Sequence, residues 1–485
     1  MNKLPKFPVA MALALLLGVG TLRAQSDPNQ PNAGGQEPSD NSQQSSGAVP
    51  AFGQSSSTQQ VSPFPPLSSL DEASLEPNAA PRSYLKPDFQ VAEFVDTNAS
   101  NAIGNQRSVF ASTHLLGRFD LERFWSRYET ALSYIGSGAF YTHRSVSDTQ
   151  AHVLYLDQRL LWRTGVLQLR DSFTYLPEGA FGGGGFGGSG MVGGGSGGGG
   201  LGGFGGGFNF FGGSTFGGIG QQPRIGNIGI VDIQQNLSPR SSLTLAGGYG
   251  LVHFINNTAG LSDSRQVTGQ AGYNYTLSRR SRVAVSYLYG GFSFPQAGAG
   301  SFNTQVVHAL YGYQITGRLD LIMGAGPQYV HFNNPTLGAS NHLAGSGRVS
   351  LRYRFAHAST ALSYQRFVSS GSGFLSGAET DMARLNVTRP LGRKYSLFGD
   401  VGYTHNQQLQ LVNAVTAHAF NSAYGGGRVT RIISRTLDAY VTAQYSDFWF
   451  DNHFCGVTGG VCARTSTRIL GGIGLDWHPH IIRLD

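Results

Sequence analysis

The sequence predicts an all-β fold, a closed antiparallel transmembrane β-barrel of about 18 strands, with about 16 as the fallback count. Two observations predict this fold. From Phe89 to Trp477, segments of roughly ten residues alternate apolar and polar side chains, which is the period of a strand with one apolar face. The connections between these segments alternate between short and long, so short turns gather at one rim and long loops at the other.

The segment 267–277 shows the alternation clearly. Val267 and Tyr273 share one parity, whereas Asn274 belongs to the other, polar parity. A tight basic connection at 278–282 leads into a second alternating segment, so the pair is typical of an antiparallel hairpin. A soluble β-sandwich is the main alternative fold, but it gives no reason for the loops to be sorted by length.

The N-terminus predicts export. Lys3 and Lys6 precede an apolar run at 9–19, and a small-residue cleavage site ends at Ala24, so residues 1–24 are predicted to be a signal peptide. The run is short for a membrane span, which leaves an uncleaved anchor as the minor alternative. No apolar run of about 18 residues follows it, and this excludes a helical membrane protein.

Residues 25–86 are predicted to be a disordered periplasmic tether rich in Gln, Ser and Pro. The first part has few apolar side chains, so it cannot bury enough surface to fold alone. From Val61 to Lys86 the segment is Pro-rich, which favours extended and stiff conformations. The low apolar content and the short length argue against a folded plug domain. A docking segment for a partner or for the cell wall is the alternative.

Residues 87–479 are assigned to the barrel and residues 480–485 to a short tail. Between two predicted strands lies a loop at 177–225 that is dominated by Gly and punctuated by Phe, on the extracellular side by the alternation of connections. Gly maximises backbone entropy, so the simplest interpretation is a low-complexity loop without a single conformation. The alternatives are a lid that folds into the lumen and an adhesive surface loop with aromatic contacts.

The parity of charged residues predicts which of them face the lumen. In the segment 348–355, Val349 and Leu351 share the apolar parity and the arginines share the other. An Arg at the lipid midplane costs about 2–4 kcal/mol, so these arginines are expected to face inward. The predicted lumen-facing charges are Arg348, Arg352, Arg354, Arg384, Arg468, Asp157, Arg159, Asp320, Asp438 and Asp476. Asp171 shares the apolar parity of its strand, and either a bulge or a position near the rim would explain it.

The cysteines and histidines give few chemical signals. Cys455 and Cys462 are the only cysteines and lie in the last long loop, where an oxidising compartment favours a disulfide. A metal pair with the adjacent His453 is the runner-up, but it lacks a defined fourth ligand. No spacing matches a metal motif, so neither a metal nor a cofactor is expected. Asp447 and Asp451, with His453, are the one group that could imitate the site of a barrel hydrolase.

The charge distribution argues against a nucleic-acid partner. The formal net charge is +7, and the signal peptide accounts for part of this excess. The remaining arginines are scattered over strands and turns rather than clustered on one face. The positions of these charges are therefore more informative than their sum.

In its alternation and its loop arrangement over residues 89–477, the chain resembles the bacterial outer-membrane β-barrel proteins and is broadly porin-like. The resemblance is architectural and carries over no functional residue. It implies a location in the outer membrane of a Gram-negative cell, contact with outer-membrane lipid, and insertion with help from the barrel-assembly machinery. Whether copies of the chain form a homo-oligomer is left open.

A barrel of about 16–18 strands is wide enough for water, so the leading hypothesis is diffusion of small hydrophilic solutes, without enzymatic activity. The predicted arginines would bias the lumen toward anions, because fixed positive charge lowers the barrier for negative solutes. The alternative is a structural or adhesive surface barrel with a plugged lumen. An outer-membrane hydrolase is the third hypothesis.

Overall fold

The computed structural model describes twelve stretches of the chain. They are residues 66–68, 83–98, 109–142, 147–176, 223–255, 263–295, 301–333, 341–355, 358–370, 377–409, 419–454 and 463–484. The predicted signal peptide, most of the predicted tether, the Gly/Phe loop and both cysteines lie outside these stretches. No helix long and apolar enough to cross a membrane occurs in the part of the chain that the structure describes.

The described residues form one antiparallel sheet of eighteen long strands and one very short one. The strands are β1 Tyr84–Asp96, β2 Phe110–Phe124, β3 Tyr128–Tyr141, β4 Thr149–Trp162, β5 Gly165–Leu176, β6 Arg224–Ser238, β7 Ser241–Phe254, β8 Ser264–Thr276, β9 Ser281–Ser293, β10 Phe302–Thr316, β11 Leu319–Phe332, β12 His342–Arg354, β13 Ser359–Ser369, β14 Ala378–Leu391, β15 Tyr395–Gln408, β16 Ala419–Ile432, β17 Leu437–Phe454, β18 Ala463–Trp477 and β19 Ile482–Arg483.

The sheet closes on itself. Each long strand pairs with its neighbours in the chain, and β1 also pairs with β18, from Phe89 opposite Trp477 to Asp96 opposite Leu470. Closure therefore leaves no edge strand with unpaired backbone groups. Such an edge would be very unfavourable in lipid, where water cannot bond these groups. The two-residue β19 continues this seam by pairing with the start of β1. The predicted barrel and its 18 strands are therefore confirmed.

The two faces of each strand differ as the alternation predicts. In β9, the outward Val285 and Tyr287 are 58% and 43% exposed, whereas the inward Ala284 and Ser286 are 5% and 2% exposed. Large apolar side chains are exposed in the same way on the outer face of strand after strand. A soluble monomer rarely exposes a continuous apolar surface of this extent, so the outer face is suited to lipid.

The connections are sorted by length as well. One end of the barrel carries the short connections, from 125–127 to 433–436, and both ends of the sheet; we call it the short-turn rim. The other end carries the long connections and is called the long-loop rim. In the turn between β14 and β15, Gly392 has a φ of 80°, a conformation that favours glycine. The barrel begins at Tyr84, three residues before the predicted boundary at residue 87.

Candidate functional site

The inner face of the barrel carries charges of both signs. Its basic residues, among those described, are Lys86, Arg118, Arg159, Arg170, Arg224, Arg282, Arg348, Arg352, Arg354, Arg384, Arg428 and Arg468. Its acidic residues are Asp88, Asp96, Asp120, Glu122, Glu129, Asp157, Asp232, Asp320, Asp400, Asp438 and Asp476. All ten residues of the sequence prediction occur in these two sets. The sets are almost equal in size, so the inner face as a whole has little excess charge.

The two signs are unevenly distributed around the ring. Carboxylates outnumber basic groups on β17, β18, β1, β2 and β3, which together form what we call the acidic wall. Arginines outnumber the single carboxylate Asp320 on β9 to β12, the basic wall, which carries Arg282, Arg348, Arg352 and Arg354. In a ring of eighteen strands, β10 lies half a turn away from β1. The basic wall and the acidic wall therefore face each other across the lumen.

Two of the predicted arginines are neutralised by a carboxylate on the next strand. Arg384 donates from Nε and Nη2 to the two oxygens of Asp400, at 3.0 and 2.6 Å. Arg468 on β18 donates to Asp96 on β1, with Nε to Oδ2 at 2.9 Å. Both carboxylates are almost completely buried. These bidentate pairs hold adjacent strands together, and the second one spans the seam of the barrel.

A third predicted arginine has two acidic neighbours. Arg159 lies 3.4 Å from Asp157 and 3.7 Å from Glu129, and Asp157 also accepts a hydrogen bond from Gln168 Nε2 at 2.8 Å. On the next strand pair, Arg170 lies 3.4 Å from Asp232. The charges of β3 to β6 are thus largely compensated within the wall.

Asp438 and Asp476 belong to a cluster near the short-turn rim of the acidic wall. They lie opposite each other on β17 and β18, and Arg428 Nη2 is 3.7 Å from Asp476 Oδ2. Gln90 on β1 donates to the same oxygen at 3.1 Å. The guanidinium of Arg428 also stacks over the ring of Tyr440, at 3.5 Å from its centroid. One arginine is thereby shared between an acidic pair and an aromatic face.

The basic wall contains a cleft lined by arginines near the short-turn rim. Its lining includes Arg279 and Arg280 from the β8–β9 turn, Arg282 from β9, Arg352 from β12 and the single carboxylate of Asp320. We call this group the Arg pocket. The register explains it, because residues 320 and 352 are direct cross-strand partners. Four guanidinium groups around one carboxylate give the cleft a local positive excess.

Two further predicted arginines lie next to the Arg pocket on β12. Arg354 Nη2 is 3.6 Å from Asp320 Oδ2, so it competes for the same carboxylate. Arg348 lies further from the short-turn rim and donates from Nη2 to the backbone carbonyl of Leu67 at 2.6 Å. Leu67 belongs to the segment predicted to be a tether, so part of that segment lies against the inner wall.

The sequence prediction missed an apolar group on the inner face near the long-loop rim. Phe302 on β10 is fully buried and stacks on Phe292 of β9, with ring centroids 4.7 Å apart. On the far side, Phe420 and Phe448 pack in the same way at 6.0 Å. The available signal was β10 itself, in which apolar side chains such as Val306 occur on the polar parity. The interior is therefore not polar throughout.

Asp171 keeps its outward parity, because the register of β5 with β4 and β6 runs without a bulge. Asn227 Nδ2 donates to both of its carboxylate oxygens, at 3.2 and 3.3 Å.

Asp171 is one member of a series of outward polar groups toward the long-loop ends of the strands, which we call the outer polar belt. The other paired members are Glu93 with Thr113, Tyr134 with His152, Tyr364 with Asp381, Arg366 with Glu379, Tyr403 and His405 with Asn421, and Asp447 with Thr467.

The groups considered for metal binding and hydrolysis remain predictions. Asp447 accepts a hydrogen bond from Thr467 on the outer face, at 2.9 Å. The side chains of Asp451 and His453, and the pair Cys455 and Cys462, lie outside the described part of the chain. Within the described stretches, no group of three or more His, Cys, Asp or Glu side chains could hold a metal ion.

The geometry defines the class of the protein. The sheet is closed, its outer face is apolar, its inner face carries most of the charges, and its connections are short at one rim and long at the other. Among membrane structures, this combination belongs to the outer-membrane β-barrels. The chain is an outer-membrane β-barrel protein of porin-like architecture.

Comparison with solved structures gives matches of low identity. The match to OccK2 (OpdF) of Pseudomonas aeruginosa has 10% identity and a TM-score of 0.41, and it covers 81% of this chain and 98% of that chain. The match to the outer membrane protein opdK of the same organism has 11% identity, a TM-score of 0.40 and the same coverage. The closed form of the ferric-catecholate import receptor Fiu from E. coli K12 matches at 8% identity and a TM-score of 0.40, covering 86% of this chain and 85% of that one. At these scores the likenesses carry no argument about function. No family model matches the sequence, and no curated protein matches it.

Proposed function

We propose that the barrel is a passive outer-membrane channel for small hydrophilic solutes and that the basic wall gives it a preference for anions. The Arg pocket carries this proposal, because it gathers Arg279, Arg280, Arg282 and Arg352 around Asp320 on the inner face. Fixed positive charge along a permeation path lowers the barrier for negative solutes. The solutes that fit best are small molecules with a carboxylate or phosphate group, which guanidinium groups bind in a planar, bidentate manner.

The preference arises from only part of the predicted set of arginines. Arg384 and Arg468 are compensated by Asp400 and Asp96, so they are expected to contribute little to selectivity. The remaining selectivity is local to β9–β12, where one carboxylate, Asp320, faces several arginines. An anion crossing the lumen is then drawn toward one wall rather than toward a uniformly positive ring.

The test is single-channel recording in planar bilayers with a potassium chloride gradient across the membrane. The wild-type barrel should show step conductance with a reversal potential of anionic sign. The double variant Arg282→Gln with Arg352→Gln should move the reversal potential toward zero, because it removes two positive charges from the Arg pocket. A matched control is Arg384→Gln with Asp400→Asn, which removes one charge of each sign and should leave the reversal potential unchanged.

Absence of step conductance would overturn the channel. Cation preference, or an equal shift of the reversal potential in the control variant, would overturn the role of the basic wall. In that case the lumen would have an acidic wall and a basic wall, but these walls would not select between ions.

The second candidate is a structural or adhesive surface barrel with a closed lumen. The observation that favours it is the contact between Arg348 and Leu67, because part of the N-terminal segment lies inside the barrel. Deleting residues 179–220, which leaves β5 and β6 intact, tests the version in which the Gly/Phe loop is the plug: the plugged barrel should gain conductance, and the open channel should change little. Hydrolysis is third, and it requires an activity that is lost when Asp451 or His453 is replaced.

A further inference from the structure

Two residues of the N-terminal segment, Leu67 and Ser68, are buried against the inner wall of the barrel. Ser68 is 1% exposed, and its N–H donates to Asn274 Oδ1 at 2.9 Å. Its hydroxyl bonds Thr244 Oγ1 at 2.6 Å and accepts from Asn274 Nδ2 at 2.6 Å. Its carbonyl accepts from Gln270 Nε2 and from Thr244 Oγ1. Ser68 thus forms hydrogen bonds through both its backbone and its side chain to residues of β7 and β8.

Leu67 makes the apolar half of the same contact. Its side chain is 4% exposed and packs against Ala284 of β9 and Leu310 of β10, with Ile322 of β11 beside them. Its carbonyl accepts the hydrogen bond from Arg348 of β12. A leucine and a serine therefore touch six consecutive strands of the wall.

The wall is shaped to receive these residues. Asn274, Ala284, Leu310 and residues 324 and 348 form one continuous row of cross-strand partners, so the contacts follow a single row of the sheet. Two glycines open the space beneath them. A Cβ at Gly272 would collide with the side chain of Ser68, and a Cβ at Gly312 would lie 2.7 Å from Leu67 Cδ2. Any other residue at these positions would fill the groove that the segment occupies.

The groove also adjoins the Arg pocket. Ile322, which packs beside Leu67, lines that pocket, and Arg282 is the cross-strand partner of Gly312. The bound segment therefore lies next to the pocket, with Ile322 shared between them. Leu67 contacts the basic wall, to which the proposed function assigns the solutes, and Ser68 contacts the neighbouring strands β7 and β8.

We propose that this groove is a peptide-binding site on the lumen wall, that its occupant is Leu67–Ser68 of the same chain, and that the bound segment is a latch that restricts passage along the basic wall. The ligand chemistry is an aliphatic side chain followed by a hydroxyl side chain, with backbone groups free to bond Asn274, Gln270 and Arg348. The proposal that the groove binds Leu67–Ser68 is based on the contacts alone, whereas the proposal that this restricts passage rests on the proposed function.

Because Leu67 and Ser68 are tethered to β1, a contact of only two residues is enough for binding. The fifteen steps of chain from Ser68 to Ser83 reach at most about 50 Å, which is enough to connect the start of β1 with any height of the wall. A tethered ligand has an effective concentration on the order of 1 mM at its site when the tether can span the distance. A contact of weak intrinsic affinity is therefore enough to keep Leu67 and Ser68 in the groove.

Disulfide trapping tests the occupancy without any conductance measurement. In a background with Cys455→Ser and Cys462→Ser, Leu67→Cys is combined with Leu310→Cys, and a protease site is inserted between residues 72 and 78. After oxidation and cleavage, the N-terminal fragment should stay attached to the barrel. The matched control joins Leu67→Cys with Thr442→Cys on the far wall and should release the fragment. Release of the fragment in both variants would overturn the binding site.

Filling the groove tests the latch. Gly272→Val with Gly312→Val should abolish the cross-link and raise the single-channel conductance, because the side chains occupy the place of Ser68 and Leu67. Gly269→Val is the control on the same strand, since a Cβ there meets no atom within 4 Å. Leu67→Glu should act like the filled groove and leaves every strand untouched, so it covers the case in which the glycine variants fail to fold.

The two failures are distinguishable. If the wild type conducts and neither Leu67→Glu nor the glycine variant conducts more, the latch is overturned while the channel stands. If no variant conducts, the proposed channel is overturned, and the cross-link alone decides whether the groove binds its own chain.

Discussion

At the residue scale, parity places a charge on one face, but it does not name its partner. Arg384 and Arg468 were predicted to face the lumen from the apolar residues beside them. Their carboxylates, Asp400 and Asp96, are fixed by register and by closure, and Asp96 is 372 residues away from Arg468 in the chain. No local pattern in the sequence carries that information. Arg468, which was predicted to bias the lumen toward anions, therefore connects β18 to β1 where the barrel closes.

The Arg468–Asp96 pair gives a stability prediction. Replacing Asp96→Ala leaves a guanidinium buried without its carboxylate, and such a loss typically costs about 3–5 kcal/mol. The free energy of unfolding, measured by urea titration in detergent micelles, should fall by an amount of this order. The double variant Asp96→Ala with Arg468→Met removes both charges and should recover much of the loss. Equal destabilisation of the two variants would show that the unpaired charge is not the cause.

At the element scale, the alternation predicts strands well and their inner faces less well. The outward residues of β9 follow the period of two without exception, because lipid imposes one requirement on all of them. Inward positions obey several requirements at once. Phe302 packs against other aromatic rings, Gly312 makes room for Leu67, and Arg352 lines a charged cleft. A single period cannot encode these different neighbours.

The outer polar belt predicts where the lipid-facing band ends. Outward pairs such as Asn421 with His405 are suited to a polar surrounding, whereas Val441 is 58% exposed in an apolar stretch of β17. The apolar band of such barrels is about 25 Å tall, so strands of this length extend beyond it. We expect the pair Asp171–Asn227 to lie at the margin of this band, because Asn227 is near the long-loop end of β6.

Thiol labelling in intact membranes measures this boundary. In a background without native cysteines, Asn421→Cys should react quickly with a charged thiol reagent, and Val441→Cys should be protected by lipid. Both should react after unfolding in detergent, which controls for accessibility of the thiol itself. Similar rates of labelling in the membrane would place the belt inside the apolar layer and contradict this arrangement.

At the scale of the whole molecule, the inner face is nearly balanced in charge but divided between two walls. This arrangement follows from the order of strands around the ring, which the sequence predicts once the count of strands is right. The position of Leu67 and Ser68 was not predictable in the same way. Residues 25–86 have too little apolar content to fold alone, and the sequence gives no sign that the complementary surface is supplied by strands far along the chain. The signal was present only as an apolar leucine in a Pro-rich stretch.

The salt dependence of selectivity tests the two-wall arrangement. The Debye length is about 10 Å at 0.1 M salt and about 3 Å at 1 M, so charges on the walls act across the lumen only in dilute salt. Anion preference should therefore be clear at low salt and weak at high salt. Steric selection would not change with salt, and a constant preference would exclude an electrostatic origin. The Arg282→Gln with Arg352→Gln variant should show a weaker salt dependence together with its weaker preference.

The seam between β1 and β18 also bears on the order in which the barrel is assembled. It joins the two most distant strands in the chain, and contacts of such separation carry the largest entropy of loop closure. We therefore expect the seam to form last. The residues of the latch precede β1 and bind strands from the middle of the chain, so they can be captured while the sheet is still an open ribbon. On this view the sheet closes after Leu67 and Ser68 have bound to it, and these two residues are synthesised before the strands that bind them.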